Sequence, residues 1–144
     1  MATEIGILAV RRSTFIAAQP DRVWEKFTTV ERMKRWFGIG HELSRYEPSP
    51  DGYVETDSAF GGPIVNWEPP HELTFENRCY ERDWEAPPLF TFRLTPALGG
   101  TVVELFSHSL ERIGPSGPDA LVAFEAGWET NHLVALREIV QGVR

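Results

Sequence analysis

Cysteine and positive charge are both scarce in this sequence. Cys79 is the single cysteine, so no internal disulfide bond can form. There are 14 Lys and Arg residues against 21 Asp and Glu, giving a net charge of -7. This balance argues against sequence-independent nucleic-acid binding and against docking on an anionic membrane, because both depend on clustered positive charge. We therefore expect no nucleic-acid and no membrane partner.

Long apolar runs and a signal-peptide pattern are also missing. No stretch reaches the roughly 18 apolar residues that a membrane-spanning helix needs. The N-terminal residues have an acid before a short apolar run and lack the basic region of a signal peptide. Together with the single cysteine, this leads us to expect a cytoplasmic protein.

The composition is that of a globular protein with a substantial core. The chain has 144 residues, of which 42% are hydrophobic and 12% are aromatic. This length suits one domain, and the apolar content excludes a disordered chain. We therefore predict a single domain over residues 1–144.

The segment from Pro118 to Gln141 carries the only long helical period in the sequence. Its apolar residues are spaced mostly by three and four positions, which places them along one face of a helix. They are Leu121, Phe124, Trp128, Leu133, Leu136, Ile139 and Val140. Pro118 is tolerated in a first helical turn, and Gly142 suits the position after a helix end. One long C-terminal helix is predicted, and its apolar stripe must pack on another part of the fold.

Most of the chain before this helix has the pattern of strands joined by turns. The first strand is predicted at Ile5 to Ala17, and two short helices follow it, one led by Pro20 and one over Glu31 to Trp36. From His41 to Ser109, strand patterns alternate with turns, and Gly61-Gly62-Pro63 is assigned to a turn. The predicted fold is α+β, a curved antiparallel meander of about six or seven strands around the long helix. Such a cradle leaves a cavity at one end unless large side chains fill it.

Four motifs, in this order, resemble the activator of heat-shock-protein-90 ATPase homologue family. PDRVWEKFTTVERMKRWFG (20–38) is similar to its opening pair of helices, and IVNWEPPHELTFE (64–76) to its hairpin. GGTVVELFSHS (99–109) resembles its Gly-Gly-Thr strand, and GWETNHLVAL (127–136) its helix signature. The family belongs to the START-like, or SRPBCC, superfamily. The resemblance therefore implies the helix-grip fold of the birch-pollen allergen over nearly the whole chain.

Two regions depart from the family pattern. Trp67 stands where the family has a smaller aliphatic residue, and Cys79 to Pro88 form an unusual acidic and aromatic connection. Both regions are expected near a cavity mouth, so the ligand of a relative is not transferred to this chain. Trp84 within the connection is expected to be exposed and would then indicate a lid or an interface.

Three classes of function fit this fold, and binding of a small apolar or aromatic ligand, lipids included, is preferred. A co-chaperone partner with a stress-response role is implied by the resemblance, but it ranks lower because the chain is acidic and lacks the additional N-terminal domain of a dedicated activator. A cyclase or hydratase would use Glu104 or His108 as an acid or base, although Val103 and Leu105 compete for the inward face. We expect a binding protein rather than an enzyme, and homodimerisation is left open.

Seven residues are predicted to line the cavity. They are Trp36, Phe37, Trp67, Asn77, Phe92, Trp128 and His132. Asn77 alternates with Leu73 and Phe75, so it faces inward if they do and either completes a structural hydrogen bond or anchors a ligand. His132 lies one helical turn after Trp128. It is either a partly exposed histidine at the helix flank whose hydrogen bonds are satisfied, or a polar group that projects into the cavity.

Metal ligands and a catalytic nucleophile are not indicated. The four histidines are dispersed and none has a partner at metal-ligand spacing, so no metal or cofactor is predicted. Ser107 and Ser109 flank His108, but neighbouring residues of a strand point to opposite faces, which argues against a catalytic dyad. Arg12 and Arg78 either neutralise a bound carboxylate or pair with Glu76 or Glu104.

Overall fold

Seven strands form one curled antiparallel sheet in the computed structural model, which describes residues 9–37, 43–56, 61–78, 84–127 and 131–142. The strand order is β1-β7-β6-β5-β4-β3-β2, so β2 to β7 form a meander and β1 adds to β7. The strands are β1 Val10–Ile16, β2 Leu43–Tyr46, β3 Tyr53–Thr56, β4 Gly61–Glu68, β5 Glu72–Glu76, β6 Leu89–Ala97 and β7 Gly100–His108. The predicted α+β helix-grip fold is confirmed.

Two short helices and a C-terminal helical segment complete the fold. Helix α1 (Pro20–Trp24) continues into a 3-10 turn, and α2 (Val30–Met33) begins after Thr29, whose hydroxyl accepts a hydrogen bond from the Arg32 backbone N–H at 3.1 Å. The segment predicted as one helix is described as α3 (Gly117–Gly127) and α4 (Asn131–Gln141). Residues 128–130, including the predicted Trp128, lie outside the described residues.

Helix α4 packs along β1 at the edge of the sheet. Its buried residues Leu133, Leu136 and Val140 recur at helical spacing, as the sequence predicts. The Arg137 guanidinium donates to the Thr14 hydroxyl at 3.0 Å, and the Ala17 N–H donates to the Gln141 side chain at 2.9 Å. These two contacts orient α4 parallel to β1, so its first turn lies toward the Val10 end of that strand.

The sheet register decides which side chains face the helices. One inner row is formed by residues paired across five strands, Ile64, Phe75, Phe90, Ser107 and Val10. In β7, Val103 and Leu105 are 0% and 1% exposed, and Ser107 follows them at the strand period of two. Glu104 and His108 therefore lie on the outer face, away from the interior.

The predicted turn at Gly61-Gly62-Pro63 is wrong, because these residues begin β4. A Cβ at Gly62 would lie 1.9 Å from the Glu76 carbonyl oxygen, and one at Gly61 would lie 2.1 Å from the Val54 carbonyl oxygen. Glycine is needed here because neighbouring backbones approach closely within the sheet, which turn propensity alone does not reveal. Trp84 also differs from expectation, since it is half-buried rather than exposed.

Candidate functional site

An aromatic cluster fills the interior beneath α1 and α2. Phe27 stacks on Trp24 at 4.9 Å between ring centroids, and its edge contacts Trp36 at 5.0 Å and Phe92 at 5.3 Å. Trp36 and Phe92 are both fully buried. The Trp36 indole N–H donates to the Lys26 carbonyl at 3.0 Å, so its polar atom is satisfied within the protein. This end of the interior is a closed core.

The hydroxyl of Tyr46 anchors β2 to the same cluster. It donates to the Phe27 carbonyl oxygen at 2.5 Å, and the Tyr46 side chain is buried. Burial raises the pKa of Tyr46 well above its usual range, because the phenolate would lose its hydration. Tyr46 therefore stays protonated and serves as a structural donor.

A second group of inner-face residues adjoins this cluster, since the Phe90 and Phe92 rings are 5.0 Å apart, and it extends toward the Leu89 end of β6. Phe75 of β5 and Phe90 of β6 stack at 4.9 Å with an angle of 20° between their planes. Ser107 of β7 is paired directly opposite Phe90, and Asn77 follows Phe75 by two residues on the same face. We call these four residues the Phe90 platform. It is a stacked aromatic pair with a hydroxyl on one side and an amide on the other.

Both polar residues of the Phe90 platform are buried. Asn77 and Ser107 are each 1% exposed, and Asn77 continues the alternation of the buried Leu73 and Phe75 just beyond the end of β5. The Asn77 backbone N–H donates to the Pro88 carbonyl at 2.8 Å, and this hydrogen bond holds the backbone in place just after the end of β5. The Ser107 hydroxyl has no hydrogen-bond partner among the described residues. A buried hydroxyl without a partner destabilises the folded protein, because its hydrogen bonds with water are not replaced, so its presence calls for an explanation.

Phe37 and His132 lie over the Phe90 platform. The Phe37 ring is 6.2 Å from Phe90 and 5.2 Å from the imidazole of His132. His132 Nδ1 is 3.3 Å from the Trp36 carbonyl oxygen. Because a carbonyl oxygen only accepts hydrogen bonds, Nδ1 carries the hydrogen, and Nε2 of the neutral ring is an acceptor. His132 thus joins α4 to the turn that follows α2.

The structure brings some of the predicted lining residues together and separates others. Phe37, Asn77 and His132 lie at the Phe90 platform, whereas Trp36 and Phe92 lie in the aromatic cluster beside it. Trp67 is half-buried and contacts Trp24 at 5.3 Å, on the far side of that cluster. Trp128 is outside the described residues. Contact of any of these residues with a ligand stays a prediction.

Phe90 and Ser107 were not among the predicted site residues. A signal for Ser107 was present, because it continues the inward alternation of Val103 and Leu105. The sequence interpretation weighed Ser107 only as a nucleophile beside His108. Phe90 and Phe92 alternate on one face of their strand and are both fully buried, so nothing in the sequence separates one from the other.

The outer face of the sheet carries the groups considered for acid–base catalysis. Glu104 pairs with Arg11 at 3.6 Å. His108 shares hydrogen bonds with the Thr91 hydroxyl at 2.7 Å and the Ser109 hydroxyl at 3.1 Å. Partial burial and then the positive charge of Arg93 lower the pKa of His108. Neither side chain faces the interior, so neither can act as an acid or base there.

Two expectations about polar contacts need refinement. Ser107 and His108 do face opposite sides, but Ser109 reaches the imidazole because it lies beyond β7 in a left-handed conformation with φ 59°. Arg78 pairs with Glu76 at 2.7 Å, as one of the two alternatives had it. The partner of Glu104 is Arg11 rather than Arg12, whose guanidinium donates to the Arg11 carbonyl.

A metal-binding cluster and a membrane-spanning helix are both absent from the described residues. In the part of the chain that the structure describes, no three His, Cys, Asp or Glu residues are grouped so that they could hold a metal ion. Within the same residues, no helix has the length and apolar character needed to cross a membrane.

Comparison with solved structures supports the fold. CalU16 from Micromonospora echinospora superposes with a TM-score of 0.70 at 24% identity, over 93% of this chain and 74% of that one. Protein MLL2253 from Mesorhizobium loti gives 0.68 at 17% identity, over 94% and 98% of the two chains. Protein Ms6760 from Mycobacterium smegmatis gives 0.68 at 14% identity, over 95% and 93%. At these identities the likeness shows the fold alone.

Comparison of the sequence with known proteins gives a family but no close relative. A search of the curated proteins found no match. The family model described as "Activator of Hsp90 ATPase homolog 1-like protein" matches residues 17–141, which span all the described elements from α1 to α4. The chain belongs to this family of activator of Hsp90 ATPase homolog 1-like proteins.

Proposed function

We propose that the protein binds a small, mostly apolar molecule between the C-terminal helical segment and the sheet, on the Phe90 platform. The observation that carries this proposal is the Ser107 hydroxyl, which is 1% exposed and has no hydrogen-bond partner among the described residues. It lies beside the stacked Phe75 and Phe90 rings, an apolar surface with a few convergent polar groups. That combination is typical of small-molecule sites.

The packing of the helical segment supports the same location. Helix α4 buries its apolar face, whereas none of the described side chains of α3, at positions 118–122, is buried. Val122 is 66% exposed and Leu121 is half-buried. Positions 118–122 of α3 are suited to move when a ligand enters, because their displacement would expose no buried side chain of these five residues. We also propose a cytoplasmic location, which the presence of a single cysteine supports.

The test is to fill the proposed space with a larger side chain. In Ser107→Leu the added carbons would occupy the position beside Phe90, where a closed core would lose about 1–3 kcal/mol through overpacking. We expect the free energy of unfolding to change by less than about 1 kcal/mol, and saturable binding of naphthalene, followed by NMR titration of the ¹⁵N-labelled protein, to be lost.

Ser13→Leu is the matched control, because Ser13 is exposed on the outer face of β1. This variant should bind naphthalene with the wild-type dissociation constant. The proposal fails if the wild-type protein shows no saturable binding to naphthalene, a sterol or a long-chain alcohol. It also fails if Ser107→Leu binds these probes as tightly as the wild type does.

The family description favours a second candidate, stimulation of a chaperone ATPase. Its partner surface would be sought on the outer face, where Phe15 of β1 is 45% exposed. An increase in the ATP turnover of a chaperone of the Hsp90 class on addition of this protein, lost in Phe15→Ser, would place this function first. Unchanged turnover would leave ligand binding as the single candidate.

A further inference from the structure

The buried polar side chains of this protein are all uncharged. Those of the described residues are Thr56, Thr74, Asn77, Thr91, Thr101 and Ser107. No Asp, Glu, Lys, Arg or His is buried in the described part of the chain. The buried positions that the structure describes therefore hold hydrogen-bonding groups without a charge that could balance an ion.

Most of these buried hydroxyls already have a structural partner. Thr74 and Thr91 bond to each other at 2.8 Å on the outer face, and Thr101 donates to the Ala18 carbonyl at 2.6 Å. Ser107 differs from these three threonines in its hydrogen bonding. It lies on the inner face beside Phe90, and its hydroxyl is without a partner among the described residues. It is the hydroxyl that a molecule lying on the Phe90 platform would meet.

We infer that the ligand carries one neutral hydroxyl or carbonyl group on its apolar body, and that this group pairs with the Ser107 hydroxyl. The inference rests on the proposed function and adds to it the chemical class of the ligand. A serine hydroxyl can both donate and accept, so it suits either group. The apolar body of the ligand would lie against the Phe75 and Phe90 rings.

A carboxylate fits this site poorly. A buried ion needs an opposite charge or several strong donors, and burying it without them costs far more than burying a neutral group. Arg12 is the nearest cation by register, since it pairs opposite Leu105, two residues before Ser107. Its side chain is half-buried and its guanidinium donates to the Arg11 carbonyl at 2.8 Å in the edge strand β1, so it does not supply a fully buried counter-charge.

The experiment compares three probes that share one ring system: naphthalene, 2-naphthol and 2-naphthoate. Dissociation constants are measured by NMR titration for the wild type and for Ser107→Ala. We expect Ser107→Ala to weaken 2-naphthol binding by about three- to tenfold, the range of one hydrogen bond, while naphthalene binding changes by less than about twofold. 2-Naphthoate should bind the wild type at least about tenfold more weakly than 2-naphthol does.

Ser13→Ala on the outer face is the matched control and should leave all three dissociation constants unchanged. If naphthalene binds and Ser107→Ala weakens it as much as 2-naphthol, the inference about the hydroxyl is wrong while ligand binding stands. If 2-naphthoate binds most tightly, the neutral class is wrong. If none of the three probes binds the wild type, this inference fails, and the proposed function fails with it only if a sterol and a long-chain alcohol also do not bind.

Discussion

The two ends of the interior are built from the same strands but are filled differently. At the end beneath α1 and α2, rings contact rings, the Trp36 indole has a backbone acceptor, and Phe92 is fully buried. At the Phe90 platform, a buried hydroxyl has no partner among the described residues, and the described part of α3 buries no side chain. The contrast separates the part of this sheet face that we expect to stabilise the fold from the part where we propose that a ligand binds.

The largest expected effect comes from emptying the aromatic end. Phe92→Ala should lower the free energy of unfolding by about 3–5 kcal/mol, because the ring is fully buried and a cavity would remain. Phe15→Ala, at a position 45% exposed on the outer face, should cost less than about 1 kcal/mol. Urea denaturation measures both. Equal losses would show that the aromatic end is not the stabilising core.

A pair of leucines tests the same contrast within the helical segment. Leu136→Ala in α4 removes a fully buried side chain and should cost about 2–4 kcal/mol. Leu121→Ala in α3 truncates a half-buried side chain and should cost less than about 1.5 kcal/mol. Both variants are compared in one denaturation series. A larger loss at Leu121 would mean that α3 seals the interior as firmly as α4.

Removing the Ser107 hydroxyl should not destabilise the ligand-free protein. A buried hydroxyl without a partner opposes folding, so Ser107→Ala should leave the free energy of unfolding unchanged or raise it by up to about 1 kcal/mol. Ser13→Ala gives the baseline for an exposed serine on a strand. A loss above about 1 kcal/mol in Ser107→Ala alone would assign the hydroxyl a role in folding.

The smallest effect expected is the pH dependence contributed by His108. Its pKa in the folded protein is lowered by partial burial and by Arg93, so the unfolded chain binds the proton more readily. The free energy of unfolding should therefore fall as the pH decreases from about 7 to about 5. His108→Gln should show a shallower slope over this range. A slope identical to that of the wild type would show that His108 does not contribute to the pH dependence of the free energy of unfolding.

Periodicity predicted the features that depend on burial alone. The strand period placed Asn77 inward with Leu73 and Phe75, and the helical period marked Leu133 and Leu136 as buried. The same period left open whether Glu104 or its neighbours Val103 and Leu105 face inward. In the structure Val103 and Leu105 lie on the inner face and Glu104 lies on the outer face. These outcomes follow from local spacing along one element.

Features that depend on neighbouring elements were not predictable in the same way. Gly61 and Gly62 were assigned to a turn because their need for space comes from the backbones of Val54 and Glu76, which are distant in sequence. The aromatic residues could not be divided into core and site, since Phe90 and Phe92 share one face of β6. Tertiary packing decides which of these two rings lies beneath the short helices α1 and α2.

Intermolecular nuclear Overhauser effects between bound naphthalene and the protein test the central claim most directly. We expect contacts from the naphthalene protons to the ring protons of Phe37, Phe75 and Phe90, and none to Phe15 on the outer face. Saturable binding with contacts to Phe15, or with no contact to Phe90, would contradict it.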